Sequence, residues 1–509
     1  MFGLVTKTWV LVAAILGSAM TFIDGSAVNV ALPVIQRELD ANAAQMQWVI
    51  EGYALFLSAL ILLGGSLGDL YGRKRLFLIG IVVFAAASMG CVVAPNVGVL
   101  IAARCAQGVG AACAMPESLA LISATFSGAE RGRAIGTWSG FASITGAAGP
   151  VLGGWLAQHA SWRWVFLINI PIAIAVLAIS WHGYPESRDE EMPHRLDVPG
   201  ALLATLGLGA FTFGLIQSQG GRPGVLGIAA LSLGAALLGA FVVVEERSPA
   251  PMLPLDLFRS RVFAAANIYT LFLYAALGGS LYFLPYLLID VQGYTPTAAG
   301  ASLLPFVLLM FALSRWSGGL IAHIGARIPL VAGALIAALG FAAFAVPGLG
   351  GSYWTTYFPA ALLLGVGATL FVAPLTTTVF DAVDTEKSGV ASGVNNAVAR
   401  TAGLLAIAGL GIILAGVFNV GFDKRLARHH VSPQTARIAH DDRVRLYAGS
   451  VPNDVPASDR PAVQAAVREG YLAGFRGVMT GSVVVCVLAA LIAMVGIPGR
   501  QPRRDSRKA

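Results

Sequence analysis

Four ionisable side chains lie inside long apolar stretches of the N-terminal part of the sequence: Asp24, Glu51, Arg104 and Glu117. Charge is costly inside a bilayer, so an ionisable residue at membrane depth is a functional candidate by default. If the stretches are helices, Asp24, Arg104 and Glu51 lie about 14, 10 and 6 Å below one membrane face, and Glu117 lies near the other. A carboxylate near an arginine can be tuned to bind and release protons, which predicts proton coupling or substrate binding here. The alternative is a structural ion pair between Asp24 and Arg104.

The second half of the sequence holds a smaller polar group. Arg400 lies about 18 Å from the inner end of its apolar run, with Asn395 and Asn396 below it. We predict that these residues form the polar site of the second half. Arg315 is close to the end of its own run, where a long side chain can extend its charge to the interface.

The elements that must position these residues are apolar runs of about 20 residues, each long enough to cross a bilayer as a helix. Of 509 residues, 57% are hydrophobic and 12% are charged, about half the charge typical of a soluble domain. The runs predict fourteen transmembrane helices, near 9–33, 47–68, 76–94, 97–120, 133–157, 164–183, 198–217, 223–244, 262–289, 297–320, 328–348, 353–379, 388–418 and 471–497.

The basic residues predict the orientation. They cluster in loops and tails on the side of the N-terminus, whereas the short loops of the other side hold only Arg37, Arg163 and Arg222. Positive loops stay in the cytoplasm, so both termini are predicted to be cytoplasmic and the membrane to be the inner cell membrane. The polar segment 420–470 is then external, and we interpret it as a solvated surface loop, with a binding role as the alternative. Its last part is predicted to be helical with Asp459 as the cap.

Two motifs recur at nearly one offset, residues 65–72 at 318–325 and residues 108–111 at 365–368. Such duplicated halves are the architecture of many secondary transporters. We predict an all-α membrane protein with two six-helix bundles and two inserted helices. The predicted divisions are 1–190 for the first bundle, 191–260 for the inserted helices, 261–497 for the second bundle and 498–509 for a basic cytoplasmic tail.

A basic loop follows the second predicted helix and contains Gly65, Asp69, Gly72, Arg73 and Lys74. The simpler interpretation is a topology signal, because positive residues hold the loop inside. A further hypothesis is a conformational latch. An aspartate can bind helix N-terminal amides or arginines in one conformation and release them in another.

The fifth predicted helix is rich in small residues: Gly146, Gly149, Pro150, Gly153 and Gly154. Small residues let helices approach closely in a membrane. A proline removes a helix hydrogen bond and can bend the helix. We therefore predict a tightly packed gating helix, in which packing and bending are compatible.

In this order, the motifs resemble those of the major facilitator superfamily, specifically its fourteen-span drug/proton antiporters. The resemblance implies outward antiport driven by protons and does not identify the substrate. The motifs that carry it are Asp24 with 29–33, then 65–75, 104–110, 146–154, and 162–166 with 169–171.

We predict a proton-coupled antiporter for multidrug-type efflux, which exports lipophilic small molecules, expected to be cationic. The alternative is a dedicated exporter of one metabolite or lipid. An enzyme would need a nucleophile–base or metal constellation at one depth, and the sequence contains none. No cofactor is predicted, because the four cysteines match no metal-site spacing and no ATP-binding loop occurs. The predicted partners are substrates, protons and lipid, not nucleic acid, and no accessory efflux partner is identified.

Overall fold

The computed structural model describes residues 2–187, 196–218, 224–249, 251–383, 388–429, 431–441 and 454–499. In these residues the chain is helical, without strands, and thirteen helices are long and apolar enough to cross a membrane. The chain is therefore an all-α, multi-pass membrane protein. The helices are α1 (Phe2–Glu38), α2 (Ala43–Tyr71), α3 (Arg73–Val92), α4 (Val97–Thr125), α5 (Gly128–His159), α6 (Arg163–Leu167 and Asn169–Gly183), α7 (Val198–Gln217), α8 (Val225–Arg247), α9 (Arg261–Tyr286, continued by a π turn at Leu287–Val291), α10 (Pro296–Ala301 and Leu304–Ile324), α11 (Arg327–Ala345), α12 (Tyr353–Asp381), α13 (Ser388–Arg428), α14 (Pro433–Asp441) and α15 (Arg460–Gly496).

The helix α5 is absent from the thirteen candidate spans, although a span was predicted over 133–157. It has 32 residues, so it is about 48 Å long and exceeds the hydrocarbon thickness of about 30 Å. Its many glycines lower its hydropathy. Each of the fourteen predicted spans therefore has a helix at its position.

The inserted helices α7 and α8 form an antiparallel hairpin. They approach closely at glycines: a Cβ on Gly214 would lie 2.8 Å from the backbone nitrogen of Leu231. The helix α7 also contacts α2 and α13, one from each half of the chain. The helix α8 has an exposed apolar face that includes Leu226 and Leu233, as expected for a helix that faces lipid.

The repeated glycine motifs make equivalent contacts in the two halves. A Cβ on Gly110 of α4 would lie 2.6 Å from the Phe84 nitrogen of α3, and one on Gly367 of α12 would lie 2.6 Å from the Ala337 nitrogen of α11. Both glycines therefore let two backbones pack at close range. The structure consists of two six-helix bundles and the inserted hairpin, as the repeat predicted.

The polar segment 420–470, which is predicted to be external, contains helices in the structure. The helix α13 extends to Arg428 and α15 begins at Arg460, and together with α14 they bury an apolar cluster, the external cluster of the predicted orientation, that includes Phe418, Phe422 and Val463. The last part of the segment is helical as predicted, whereas α14 lies where a loop is predicted. Residues 442–453 and most of the predicted tail, 500–509, lie outside the described residues.

Asp459 has a different role from the one predicted. The helix α15 does begin directly after it, but its side chain makes no capping bond to α15. Its carboxylate instead accepts hydrogen bonds from the Ser432 amide at 3.1 Å and the Thr435 hydroxyl at 2.6 Å. These two bonds lower the pKa of Asp459 to about 2, with the Thr435 bond as the larger cause. The carboxylate therefore joins α14 to the start of α15.

Candidate functional site

Asp24 and Arg104 form an ion pair inside the first bundle. Arg104 Nη1 of α4 donates to Asp24 Oδ2 of α1, and both side chains are fully buried. The backbone carbonyl of Val49 in α2 accepts from Arg104 Nε at 3.0 Å. Charge-assisted hydrogen bonds of this kind are stronger than neutral ones, so the pair holds three helices at one point.

A shell of neutral polar side chains surrounds the pair. Gln107 Nε2 and Asn169 Nδ2 donate to Asp24 Oδ1 at 3.2 and 3.3 Å, and the same two amide groups donate to the Ser88 hydroxyl at 2.7 and 3.3 Å. Sequence reasoning selected none of these three residues, although Gln107 and Asn169 lie in motifs that it used. Their signal was an amide side chain inside an apolar run, which is a strong donor that needs a buried acceptor.

Aromatic rings cover the other side of the guanidinium. The Arg104 carbon Cζ lies 4.4 Å from the centre of the Tyr53 ring and 5.7 Å from that of Phe166. Cation–π contact stabilises a cation that has lost its water. Arg104 Nη2 has no hydrogen-bond partner among the described residues. Arg104 therefore keeps one unused hydrogen-bond donor group, Nη2.

Glu51 and Glu117 are also fully buried, but they have no charged partner at hydrogen-bond distance. None of their four carboxylate oxygens has a hydrogen-bond partner within the described chain. The Glu117 carboxylate rests against Gly68 of α2, where a Cβ would overlap it. Glu51 lies on α2, nearer the predicted outer end. An ionised carboxylate without donors is far more costly to bury than a neutral carboxylic acid.

Arg400 of α13 lies at the contact between the two halves. Its Nη2 donates to the Met115 sulfur of α4 at 2.8 Å, and its Nε has no partner in the described part of the chain. Tyr53 and Tyr274 lie within electrostatic range of it. Because Tyr53 also makes the cation–π contact with Arg104, this one side chain lies near both arginines.

The two asparagines below Arg400 differ from one another. Asn395 Nδ2 donates to the side-chain oxygen Oδ1 of Asn267 at 3.1 Å and to the Thr270 hydroxyl at 2.8 Å, both in α9. Asn396 is exposed. The structure therefore brings Asn395 into a bond between helices of the second half and leaves Asn396 outside it.

The basic loop between α2 and α3 is held within the first half. Asp69 accepts from Arg73 Nε at 2.8 Å, one helical turn away. Gly72 has a φ of +109°, a region that favours glycine, and it separates the two helices. Gly65, one turn before Asp69, packs against Pro116 of α4.

A strap from the segment after α6, residues 184–187, covers this loop. Glu186 accepts from the backbone nitrogens of Lys74 at 2.8 Å and Arg75 at 3.0 Å, so its carboxylate binds the N-terminus of α3. Lys74 Nζ donates to the Tyr184 carbonyl at 2.6 Å. No local sequence pattern predicts a partner for Glu186, because more than 100 residues separate it from this loop.

The glycine-rich helix α5 packs on both halves at its predicted outer end. Gly149 and Gly153 lie against α1, where a Cβ would overlap Ser26 and Ala27. Gly154 lies against Pro296 of α10, and the Pro150 carbonyl lies against Gly300 of the same helix. At Gly146 no atom of the side chains that the structure describes lies within 4 Å of a Cβ position. The halves therefore touch along the outer part of α5 and leave its inner glycines open.

Two helical bundles, the first of which encloses a buried ion pair, have the architecture of a secondary transporter of small molecules rather than an enzyme. The sequence profile described as "Major Facilitator Superfamily" matches residues 14–408, and the chain belongs to that family.

Its relatives are resistance and export proteins. "Multidrug resistance protein Stp" of Mycobacterium tuberculosis (strain CDC 1551 / Oshkosh) is 34% identical, over 97% of this chain and 91% of the relative. "Tetracenomycin C resistance and export protein" of Streptomyces glaucescens is 30% identical, over 97% and 92%. "Cephamycin export protein CmcT" of Amycolatopsis lactamdurans is 34% identical, over 84% and 88%.

Solved structures agree on the fold. An inward-facing, unoccupied bacterial homologue of the human lysosomal transporter Spinster matches with a TM-score of 0.67, over 96% of this chain and 97% of that one. The "POT family transporter PepTSo" matches with a TM-score of 0.62, over 96% of this chain and 98% of that one. Their sequence identities of 17% and 14% support a shared fold alone.

Proposed function

We propose that the chain is a proton-coupled antiporter that exports lipophilic small molecules across the inner cell membrane. The observation that carries the proposal is the Asp24–Arg104 pair, which is fully buried inside the first bundle. Relatives of the chain are named for drug resistance and export. A buried ion pair is a weak source of stability, so its place at membrane depth favours a role in the transport cycle.

In this proposal Asp24 is the coupling carboxylate. Arg104 of α4 is its buried cationic partner, so a movement of α1 against α4 would change the contact between this carboxylate and the guanidinium. Asp24 is closed to a substrate here, because its side chain is fully buried. Substrate cations and Asp24 can therefore meet only in another conformation.

Glu51 and Glu117 are the proposed second proton sites. Because none of their oxygens has a donor, both are expected to carry a proton in this conformation. A second proton makes exchange with a monovalent cation sensitive to the membrane potential, which is worth about 2.3 kcal/mol per charge per 100 mV.

The conformational change is proposed to occur between the two bundles, with α5 as the gating helix. The close contacts of Gly154 and Gly300 support a closed outer end in this conformation, and the open space at Gly146 supports a separated inner part. The basic loop with Asp69 is the proposed latch. In this conformation its partner is Arg73, which leaves the second half free to move.

The orientation and the domain limits belong to the same proposal. The basic residues favour cytoplasmic termini. The proposed limits are 1–190, 191–260 and 261–497. The first boundary falls between α6 and α7, and the second falls between α8 and α9. A cysteine in place of exposed Asp454 should react with an impermeant thiol reagent from outside the cell, and a cysteine in place of Glu246 should not. The reverse pattern would overturn the orientation.

The decisive test is export from everted membrane vesicles. Labelled lipophilic compounds, cationic, neutral and anionic, are followed with and without an imposed proton gradient. Gradient-dependent uptake into the vesicles by the wild type, lost in Asp24→Asn, is the expected result. Uptake of only one compound would favour the dedicated exporter, and uptake that ignores the gradient would reject proton coupling.

The charge of the substrate is the open part of the sequence prediction. Cationic compounds were expected, yet Arg400 brings a positive charge without a carboxylate partner to the contact between the halves. If cations are preferred, Arg400→Gln should improve their export, because it removes a repulsive charge. Equal export by the two forms would place Arg400 outside the substrate path.

A further inference from the structure

A second acidic pair lies on the inserted hairpin, away from the Asp24 site. Asp197 precedes α7 and is 7% exposed, and Glu245 lies in the last turn of α8 and is 2% exposed. Each carboxylate uses one oxygen to bind the backbone. Asp197 Oδ1 accepts from the Gly200 nitrogen at 2.8 Å, and Glu245 Oε2 accepts from the Leu253 nitrogen at 2.9 Å.

The remaining two oxygens face each other. Asp197 Oδ2 and Glu245 Oε1 have no donor among the described residues. They lie 2.8 and 2.7 Å from one point, the position that a Cβ on Gly200 would take, and the two side chains are within hydrogen-bonding range. Gly200 is thus the residue that leaves room for the two carboxyl groups to meet.

Two carboxylates cannot both stay ionised at this distance out of water. Like charges that share a buried site force one group to hold a proton, and that proton can then bridge the two oxygens. Asp197 acts on Glu245 as a like charge. Within the described chain, no donor from a lysine, arginine or histidine reaches either of the two free oxygens. The neighbouring Glu246 and Arg247 are exposed.

We propose that Asp197 and Glu245 form a proton-binding site in which one proton is shared between Asp197 Oδ2 and Glu245 Oε1. The proton moves to or from bulk water, and no other bond is made or broken. The site joins three elements, namely the start of α7, the end of α8 and the linker at Leu253.

The linker connects this site to the transport bundles. Met252, next to Leu253, packs with Ala201 and Ala204 of α7 and with Leu60 and Leu63 of α2. The shared proton therefore holds the inserted hairpin and the linker against the inner half of α2. Loss of the proton places two negative charges side by side, and their repulsion separates the start of α7 from the end of α8.

The test uses the purified full chain. In the wild type, the pair should contribute one infrared C=O band of a carboxylic acid, separate from those of Glu51 and Glu117, and this band should disappear as the pH rises. Asp197→Asn keeps an oxygen for the Gly200 nitrogen, and its amide can donate to Glu245 in place of the proton. Both Asp197→Asn and Glu245→Gln should therefore lose the same band, whereas Glu246→Gln, an exposed neighbour, should keep it.

Thermal unfolding gives a second measurement on the same samples. At this pair, the folded wild type binds one proton that the unfolded chain releases at neutral pH. This proton should therefore contribute a fall of up to about tenfold in the folding equilibrium constant for each pH unit until it is lost. The two amide variants should lack this component, and Glu246→Gln should retain it.

Two results would overturn the proposal. One is a band that survives in Asp197→Asn, because the proton would then belong to Glu245 alone or to another group. The other is a wild type that lacks the band but is stabilised by added sodium or calcium, because a cation would then hold the pair. Neither result depends on whether Asp24 drives export.

Discussion

The buried Asp24–Arg104 pair can be dissected by a double-mutant cycle. Asp24→Asn removes the negative charge and keeps the shape, and Arg104→Met removes the positive charge and keeps an unbranched chain. Each single change leaves the other charge buried at zero exposure without an opposite partner. The double variant removes both charges and leaves neutral groups.

The expected energies follow from the contacts. Breaking a buried ion pair from one side costs about 3–5 kcal/mol, whereas replacing both partners is often close to neutral. Arg104→Met also removes the hydrogen bond to the Val49 carbonyl, which is worth about 0.5–1.5 kcal/mol, because that oxygen keeps its partner within helix α2. Gln107 and Asn169 still donate to Asp24 in that variant, so its cost should stay within the range for a broken pair. The double variant should be only about 1–3 kcal/mol less stable than the wild type.

Two assays separate structure from coupling. The unfolding temperature of the purified protein reports stability, and everted vesicles with an imposed pH difference report export. We expect stability to recover in the double variant while proton-driven export stays lost in all three. Ser118→Ala is the matched control, because it removes a buried 2.8 Å hydrogen bond to Ser18 between the same two helices without a change of charge.

The reasoning would be refuted in one of two ways. If the double variant recovers both stability and export, the pair is only structural. If either single variant is as stable as the wild type, the charges are not buried together as described. Ser118→Ala should lose about 1 kcal/mol and keep its export, and a loss of export there would make the assay unspecific for charge.

Three further predictions concern the gate, the latch and the external cluster. Gly300→Ala should weaken the closed outer end by about 1–3 kcal/mol, because its Cβ would overlap the Pro150 carbonyl, and cysteine crosslinking between α5 and α10 should decrease. Asp69→Asn should greatly reduce export without loss of the protein from the membrane, whereas Ala322→Asp in the degraded repeat should be tolerated. Normal export by Asp69→Asn would leave the loop as a topology signal. In the external cluster, the lowered pKa of Asp459 means that its contribution to stability is present above about pH 4 and is lost as the pH falls to about 2. Hydrogen exchange of α14 should rise over that range in the wild type and not in Asp459→Asn, and equal rises in both would contradict this.

The sequence predicted the helices well because each apolar run is long and the bilayer permits few alternatives. It also predicted that Asp24 and Arg104 lie at similar levels of their helices, and the structure pairs the two side chains. It did not predict direction around the helix axis. For that reason the sequence could not distinguish the unpaired carboxylates of Glu51 and Glu117 from the paired carboxylate of Asp24, although all three are fully buried.

Contacts between distant segments account for most of what the sequence missed. Glu186 binds the start of α3 across a separation that no local pattern encodes. The cap predicted at Asp459 failed for a related reason: Ser432 and Thr435 compete for the same carboxylate, and they lie 27 and 24 residues earlier in the chain. A capping rule considers only the neighbours that follow a residue in sequence.

The helix α13 is long enough for a small tilt within the membrane to produce a large displacement at its end. Its 41 residues give about 60 Å of helix, roughly twice the hydrocarbon thickness, so about half of its length projects beyond the membrane. Its tip is bound to α14 and α15 through the external cluster. Any tilt of the second bundle about a pivot in the membrane is therefore magnified at that tip. A fluorophore at that tip would report movement of the second bundle without any label in the substrate path.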